Sequence, residues 1–551
     1  MKPGASSPRT GTAGPDSSQG QIPFTFRIGV TGHRELADPA ALIPAVQDAI
    51  EGITTRLLGA GAEFRLVVVS ALAEGADRLV ARQVLARPGA ELEAALPRPP
   101  EDYLADFGTE ESKAEFACLF GKAGLIWQAP ACNTREDGYQ QAGHYIVDRS
   151  DAVIALWDGE PARGPGGTAT VVAYAREQHV PLVWVPTTAD PPLTAYQIDD
   201  QRRRDINSAA RAFREYNTAA IPNFSLRVSR ERAALEPGGP AGSQPESFRR
   251  ARENAAEWIV PYFVRADFLA SRLEGWFKAM SAAIFLLAAA TVTVVAAQVV
   301  FAPQRTLIMA AEAALLVVLL VATLITRRRR VLDRWISYRF LAERLRSGYF
   351  LALAGTADHG ERSGPPSYLS DPTEAWIRRA LSEIMAHRPD IHVGRSGVAA
   401  LRAYLGGHWI AGQIRYHRRA ADRQGAWENR LFLATGLLFG STLIAAVLHM
   451  LKVGEDGGRP VPWANLIVVL SICLPAIGAA LHGIRSQAQF RRHCQRYTRM
   501  AGLLEQLKAD MDQAPSLAQI REVAAGTERL MREENSDWFG VMRFHDMELI
   551  T

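Results

Sequence analysis

The stretch Ala279-Met-Ser-Ala-Ala-Ile-Phe-Leu-Leu-Ala-Ala-Ala-Thr-Val-Thr-Val-Val-Ala-Ala-Gln-Val-Val-Phe-Ala302 contains no charged residue, and it decides the class of this protein. About 20 apolar residues in a helix are enough to cross a hydrocarbon core of about 30 Å. Leu307–Thr326 is a second stretch of this kind, with Glu312 as its one charged residue. Because residues 303–306 leave room for only a tight turn, the two stretches predict a transmembrane hairpin.

A second pair of apolar segments lies further along the chain. Leu431–Leu451 and Trp463–Ile484 are joined by the polar loop Lys452–Pro460. The alternative, four buried core helices of a soluble protein, is disfavoured because the segments are long, almost free of charge and flanked by arginine clusters. The second half of the chain therefore predicts an all-α membrane region with four transmembrane helices in two hairpins.

The arginines beside the apolar segments predict their orientation. Arg327–Arg330 ends the first pair, and the second pair is flanked by Arg415, Arg418, Arg419, Arg423 and Arg430 before it and by Arg485, Arg491, Arg492 and Arg496 after it. The joining loops hold far less positive charge. Since cytoplasmic loops carry the excess of Lys and Arg, we expect a multi-pass protein of the cell inner (plasma) membrane with cytoplasmic N- and C-termini.

The two hairpins look like an internal repeat, because a basic amphipathic helix precedes and follows each of them. Tyr338–Arg346 after the first hairpin is comparable to Tyr497–Glu505 after the second. Four simple spans without the broken helices of transporters favour assembly into a homo-oligomer in the lipid bilayer.

Composition excludes several other classes of function. The net charge is +4, and the arginines lie beside apolar runs rather than among exposed aromatic residues, so we expect no nucleic acid as a partner. The four cysteines have no CxxC spacing, so neither a zinc site nor a disulfide framework is indicated.

The N-terminal half has the rhythm of an α/β domain. Four apolar runs rich in β-branched residues predict strands: Phe24–Val30, Phe64–Val69, Ala152–Trp157 and Val180–Val185. Helical patterns lie between them, and continuous apolar strands are typical of parallel sheets covered on both faces. The sequence therefore predicts a doubly wound, Rossmann-like α/β fold.

Three loops of this domain follow predicted strands, where an open α/β sheet binds its ligand. They are Gly29–Arg34, Ser70–Asp77 and Asp158–Thr168, and they combine glycines with hydroxyl, carboxylate and arginine side chains. Glycines allow close backbone approach, and helix N-termini offer unpaired N–H groups to phosphate. We expect a nucleotide-like ligand, no other cofactor and no metal. The candidate ligand-binding residues are Gly29, Thr31, Gly32, Arg34, Ser70, Glu74, Gly75, Asp77, Asp158, Gly166, Gly167 and Thr168.

Residues 23–190 resemble the SLOG superfamily, which groups the DNA-processing protein A fold with the "lonely guy" phosphoribohydrolases. Ser70–Asp77 is similar to the family's Ser-Gly-x-Ala-x-Gly-x-Asp segment, and Pro165-Gly166-Gly167 is similar to the start of the hydrolases' Pro-Gly-Gly-x-Gly-Thr-x-x-Glu motif. The resemblance implies a SLOG-type fold that binds a nucleotide-derived ligand. Ala173 stands where the hydrolases have their catalytic glutamate, which favours binding without turnover and leaves no catalytic residue assigned.

The hairpins with their basic helices resemble the SLATT class of two-helix effector domains, which accompany SLOG sensors in bacterial conflict systems. That resemblance implies a pore-forming or membrane-disrupting effector in antiviral defence. Two alternatives remain open. One is a membrane-tethered nucleotide phosphoribohydrolase or N-glycosidase-like enzyme that uses Glu74, Asp77 and Asp158, residues that helix capping also explains. The other is a structural membrane protein with a vestigial cytosolic fold.

The predicted organisation follows from these patterns: a disordered tail at 1–22, the SLOG-like domain at 23–190, a linker at 191–257, the first hairpin with its flanking helices at 258–355, a connecting helical segment at 356–410, the second hairpin at 411–512 and a C-terminal helical tail at 513–551.

Overall fold

The computed structural model describes residues 19–59, 62–130, 132, 134–161, 166–188, 194–237, 244–328, 331–356, 372–454 and 463–543. The chain divides into an α/β unit, which comprises residues 1–220 and 363–388, and a helical unit, which comprises residues 221–362 and 389–551. Most of the predicted disordered tail lies outside the described residues. Its last residue, Ile22, is fully buried and is held by the side chain of Asn217.

The elements of the α/β unit are, in chain order, β1 (Thr25–Gly32), α1 (Ile43–Leu58), β2 (Arg65–Ser70), α2 (Ala76–Leu85), β3 (Glu91–Leu96), α3 (Pro100–Leu104), α4 (Glu110–Phe120), β4 (Ala123–Gln128), α5 (Arg135–Arg149), β5 (Ala152–Trp157), α6 (Thr168–Glu177), β6 (Leu182–Pro186), β7 (Ala195–Gln197) and α7 (Asp200–Thr218). The later elements are α8 (Phe224–Ala234), α9 (Glu246–Phe301), α10 (Thr306–Arg328), α11 (Val331–Ala354), α12 (Pro372–Ala386), α13 (Val398–Tyr404), α14 (Ala411–Met450), α15 (Trp463–Ala488), α16 (Phe490–Gln513) and α17 (Leu517–Arg543). A 3₁₀ turn (Arg395–Gly397) precedes α13, and a π-helical turn (Leu405–Ile410) follows it.

The sheet has seven strands in the order β4-β3-β2-β1-β5-β6-β7. All neighbours are parallel except β7, which is antiparallel to β6. The predicted doubly wound α/β class is therefore confirmed. The sequence pattern missed β3, β4 and β7. β3 has the sequence Glu-Leu-Glu-Ala-Ala-Leu, whose Glu and Ala residues favour helices when no tertiary contact intervenes.

The helix α12 belongs to the α/β unit although it follows the first hairpin in the chain. Arg27 of β1 places Nη2 2.5 Å from Glu383 Oε1, and the Thr25 hydroxyl donates to Glu383 Oε2 at 2.8 Å. One turn earlier in α12, Arg379 forms an ion pair with Asp151. Arg27, Glu383 and Asp151 are all buried, so α12 is fixed to the sheet by charges removed from water.

The segment predicted as a linker, residues 191–257, is structured over much of its length. It contributes β7 and α7 to the α/β unit, and α8 and the start of α9 to the helical unit. Similarly, the predicted connecting segment 356–410 contains α12 of the α/β unit and α13 of the helical unit.

Among the described residues, four helical stretches are long and apolar enough to cross a membrane, as predicted: Glu246–Phe301, Thr306–Ile325, Arg395–Met450, which includes α13 and α14, and Trp463–Gln513, which includes α15 and α16. α9 is one continuous helix of 56 residues that includes Pro261. It packs against α10 in the first hairpin, and α14 packs against α15 in the second. Large apolar side chains on these helices are exposed, as expected of surfaces that face lipid: Leu307 is 84% exposed and Leu443 is 67% exposed.

A buried charged node joins the helices outside the apolar segments. Glu343 of α11 lies 2.8 Å from Arg339 Nη2 and 3.2 Å from Arg346 Nη1. Burial disfavours its charged form, but these two arginines hold the pKa of Glu343 below its usual value. His417 and Arg496 line the same small cavity of about 100 Å³, to which α9, α11, α14, α16 and α17 all contribute. The node therefore connects helices of both hairpins.

Replacing Glu383 by Gln should weaken the attachment of α12 by about 3 kcal/mol, because it leaves Arg27 buried with one carboxylate fewer. The matched control is Glu110→Gln, which breaks an exposed pair with Lys113 and should cost less than about 1 kcal/mol. Hydrogen exchange of the β1 and α12 amides in the detergent-solubilised full chain measures both changes. Equal exchange in the two variants would contradict the role of the buried pair.

Candidate functional site

The strand order reverses between β1 and β5, because β2 to β4 continue on one side of β1 whereas β6 and β7 continue beyond β5. Gly32 pairs with Leu156 at the carboxyl ends of these two central strands. In an open α/β sheet this topological switch point forms the crevice in which ligands bind. Two of the three predicted loops, Gly29–Arg34 and Asp158–Thr168, lie at this crevice.

A cavity of about 420 Å³ lies at the switch point. Most of the predicted site residues line it: Thr31, Gly32, Arg34, Asp77, Asp158, Gly166, Gly167 and Thr168. Gly29, Ser70, Glu74 and Gly75 are not among the lining residues. Pro165 of the predicted Pro165-Gly166-Gly167 motif, and Gly164 before it, lie outside the described residues.

The four predicted site residues that do not line the cavity make contacts that build the fold around it. A Cβ on Gly29 would lie 2.5 Å from Ser150 Oγ, so Gly29 lets α5 approach β1. Gly75 has φ of 75°, and a Cβ there would lie 2.5 Å from the carbonyl oxygen of His33. Glu74 accepts a hydrogen bond from the hydroxyl of Ser112. These contacts fit the alternative that such loops join strand to helix.

Ser70 and Asp77 are bonded to each other inside the loop between β2 and α2. The Ser70 hydroxyl donates to Asp77 Oδ2 at 3.1 Å and accepts from the Leu72 amide at 3.0 Å. Leu72 has a left-handed backbone, with φ of 57°, and its carbonyl accepts from Arg78 Nε at 3.1 Å. This network fixes a strained loop, so that Asp77 reaches the cavity from the first turn of α2.

Asp77 is a carboxylate of this site whose acidity is changed by burial. Burial raises the pKa of Asp77 to about 6, although Ser70, the Ala73 amide and Arg34 act in the opposite direction. A carboxyl group that is partly protonated near neutral pH can donate as well as accept a hydrogen bond. Perturbed groups of this kind are concentrated at functional sites.

His33 is a cavity residue that the sequence analysis did not select. Its Nε2 lies 3.0 Å from Asp158 Oδ1 and 3.1 Å from the Asp158 amide nitrogen. The contact ties the end of β1 to the end of β5 across the switch point. The available signal was its place between Gly32 and Arg34 in the first loop.

The N-terminus of α6 offers uncapped backbone N–H groups to an anion. Gly166 has φ of 76°, and a Cβ there would lie 2.8 Å from Tyr139 Cβ, so only glycine fits without strain. Gly167 is the N-cap residue, and no side chain caps the helix. The first amides of α6, at Thr168, therefore border the cavity as donors suited to phosphate. Ala173, by contrast, lies on the exposed side of α6.

Aromatic residues that no motif indicated form much of the remaining wall. The guanidinium of Arg34 lies 5.2 Å from the centre of the Tyr139 ring. Tyr103 is fully buried, and within the described part of the chain its hydroxyl has no hydrogen-bond partner. Burial also raises the pKa of Tyr103, so this hydroxyl stays protonated. An unpartnered buried hydroxyl at a cavity wall is suited to a ligand that accepts its proton.

Comparison with known families gives one result for the helical unit. Residues 408–538 match the family SLATT_1, the SMODS and SLOG-associating 2TM effector domain 1. The match spans α14, α15, α16 and most of α17, and so it includes the whole second hairpin. No curated protein matches the chain. The predicted SLATT resemblance is confirmed for this part of the chain, and it indicates a multi-pass membrane effector of the defence type.

Substituting Asp77 by Asn should remove a pH dependence of stability. Because the folded state raises the pKa of Asp77 from 3.8 to about 6, it retains the proton more tightly than the unfolded chain does. The bound proton therefore contributes about 3 kcal/mol to the free energy of unfolding. This contribution is complete below about pH 4 and is lost as the pH rises through about 6.

The difference in unfolding temperature between the wild-type full chain and Asp77→Asn, both in detergent, should therefore fall between about pH 4 and pH 7 and stay constant above about pH 7. A difference that is the same at every pH would show that the carboxyl is not perturbed.

Proposed function

We propose that the protein is a membrane effector whose α/β unit binds a nucleotide-derived signal in the switch-point cavity and thereby controls the helical hairpins, as part of antiviral defence. The observation that carries the proposal is the phosphate-suited cavity in a chain whose second hairpin matches a SLOG-associating effector family. The resemblance of residues 23–190 to SLOG domains supports the same assignment of sensor and effector.

The cavity suggests which part of a nucleotide lies where. Its volume is within the range of small-molecule sites. Phosphate oxygens suit the α6 amides and the guanidinium of Arg34. Asp77 and Asp158 repel phosphate and suit the hydroxyl groups of a ribose. Tyr139 and Trp157 offer ring faces at the wall, which suit a base.

The course of the chain supports control of the hairpins by the α/β unit. The chain leaves this unit after residue 220, forms the first hairpin, returns for residues 363–388 and then leaves again to form the second hairpin. α12 is therefore joined covalently to one hairpin at each end, while its ion pairs attach it to Arg27 of β1 and to Asp151, the residue before β5. A ligand that changes the position of β1 or β5 relative to α12 would act on both hairpins.

The energetic requirement of this control can be bounded. Shifting a two-state effector from almost closed to almost open needs about 5.5 kcal/mol of differential affinity. One strong charge-assisted hydrogen bond supplies about 1.5–3 kcal/mol, so two or three state-dependent phosphate contacts suffice. Assembly of several chains into a homo-oligomer would multiply the effect. We place the α/β unit and both termini in the cytoplasm because the arginines flank the spans on that side.

A second candidate is a membrane-tethered enzyme that cleaves an N-glycosidic bond. One observation favours it: Asp77, with a pKa of about 6, lies in the same cavity as the His33–Asp158 pair. Release of free base from nucleoside monophosphates by the purified full chain, abolished by Asp77→Asn, would establish this activity in place of simple sensing.

Arg34→Gln should weaken nucleotide binding about tenfold to a hundredfold, because it removes a charged donor to phosphate. The control is Arg56→Gln, which also removes an arginine that lies over a tyrosine ring, 3.8 Å from the centre of Tyr196, but outside the cavity.

Mass spectrometry of small molecules retained by the full chain identifies the nucleotide, and dye release from liposomes measures the effector response. Arg56→Gln should behave as wild type in both assays. If Arg34→Gln retained the same molecule and released dye equally, the cavity would not be the sensor.

A further inference from the structure

A second large cavity, of about 400 Å³, lies in the helical unit where the second hairpin meets its basic flanking helix. Three helices line it: α14 with Glu428, α15 with His482, Arg485 and Ser486, and α16 with Phe490, Arg491, Arg492 and Gln495, with Gln489 between the last two helices. It is distinct from the cavity of the α/β unit, and the proposed function leaves it unused.

The charges that line this cavity do not cancel. Arg485 is paired with Glu428, whose Oε1 accepts from Nη2 at 2.6 Å and from Nε at 3.0 Å. Arg491 and Arg492 are exposed, and neither forms an ion pair with any acidic side chain that the structure describes. The cavity therefore keeps a surplus of two positive charges.

The cavity lies at the boundary of an apolar span. Arg485 is the first charged residue after the apolar run Trp463–Ile484. Its guanidinium lies 5.0 Å from the centre of the Phe432 ring, in the first turn of the apolar part of α14. Phe432 and its neighbour Leu433 are 62% and 63% exposed. An exposed apolar surface therefore adjoins the charged cavity and extends along the apolar part of α14, at the depth of the acyl chains.

A break in the helix brings Arg491 and Arg492 to this boundary, where Arg492 donates to the side-chain oxygen of Gln489 at 3.4 Å. α15 ends at Ala488 and α16 begins at Phe490, with Gln489 between them in the left-handed region at φ of 46°. This conformation is costly for a residue other than glycine. It places Arg491 and Arg492 beside Arg485 around one cavity.

We propose that this cavity binds the phosphate headgroup of an anionic phospholipid. Two arginines with unmatched charge suit a phosphodiester, and basic pockets between transmembrane helices on the cytoplasmic side are a known form of headgroup site. The adjoining exposed surface at Phe432 suits the acyl chains. A free phosphate shares the charge but has no group for that surface.

The experiment counts lipids bound to the full chain by native mass spectrometry. The protein is released from detergent micelles that contain phosphatidylglycerol or, separately, phosphatidylcholine. Arg491→Gln/Arg492→Gln, both on α16, is compared with Arg419→Gln on α14 combined with Arg499→Gln on α16. These two control arginines are also exposed, do not line the cavity, and change the net charge equally when replaced.

We expect a retained phosphatidylglycerol adduct in the wild type and in the control, and about thirtyfold weaker retention in the cavity variant, which corresponds to about 1 kcal/mol for each arginine. Phosphatidylcholine should not be retained. Equal retention by both double variants would overturn the proposal. So would displacement of the lipid by equimolar glycerol 1-phosphate or inorganic phosphate, which would identify a site for a soluble anion.

Discussion

The cost of placing charge in hydrocarbon governs the whole arrangement of this protein. Four helices have apolar stretches of membrane-spanning length, and their arginines begin where those stretches end. In the proposed topology the same constraint brings the basic ends of both hairpins to one side of the bilayer. The proposed control of the hairpins by the α/β unit requires this unit to lie on that side.

Charge is costly in the membrane-spanning segments, but outside them buried charged groups hold elements of the structure together. Arg339, which pairs with Glu343 within α11, donates to the Tyr416 hydroxyl of α14 at 3.3 Å and so connects helices of both hairpins, and Glu383 with Arg27 holds α12 to the sheet. Buried pairs add little net stability when compared with apolar packing, but they tolerate few alternative arrangements. They are therefore suited to parts of an effector that must keep a defined register.

The switch-point cavity brings donors and acceptors together in one lining. The open start of α6 and Arg34 provide positive potential, whereas Asp77, which interacts with Arg34, and the His33–Asp158 pair provide groups of the opposite kind. The proposed ligand class, with phosphate and hydroxyl groups, rests on this combination. Ala173, at the position of the hydrolases' glutamate, is exposed on α6 and does not line the cavity.

The sequence by itself determined the four spans, the doubly wound class and most of the cavity's glycine, hydroxyl and carboxylate residues. These features depend on local patterns: length without charge, continuous apolar strands, and glycines at strand ends. The tertiary structure alone decided the rest. β3 forms because it pairs in parallel with β2 on one side and β4 on the other and buries Leu92 and Leu96, which outweighs its helical composition.

In the same way, Tyr103 and Tyr139 enter the site, and α12 returns to the α/β unit, through contacts between residues far apart in the chain. No local pattern encodes such contacts, because their free energy exists only once the separate segments have come together.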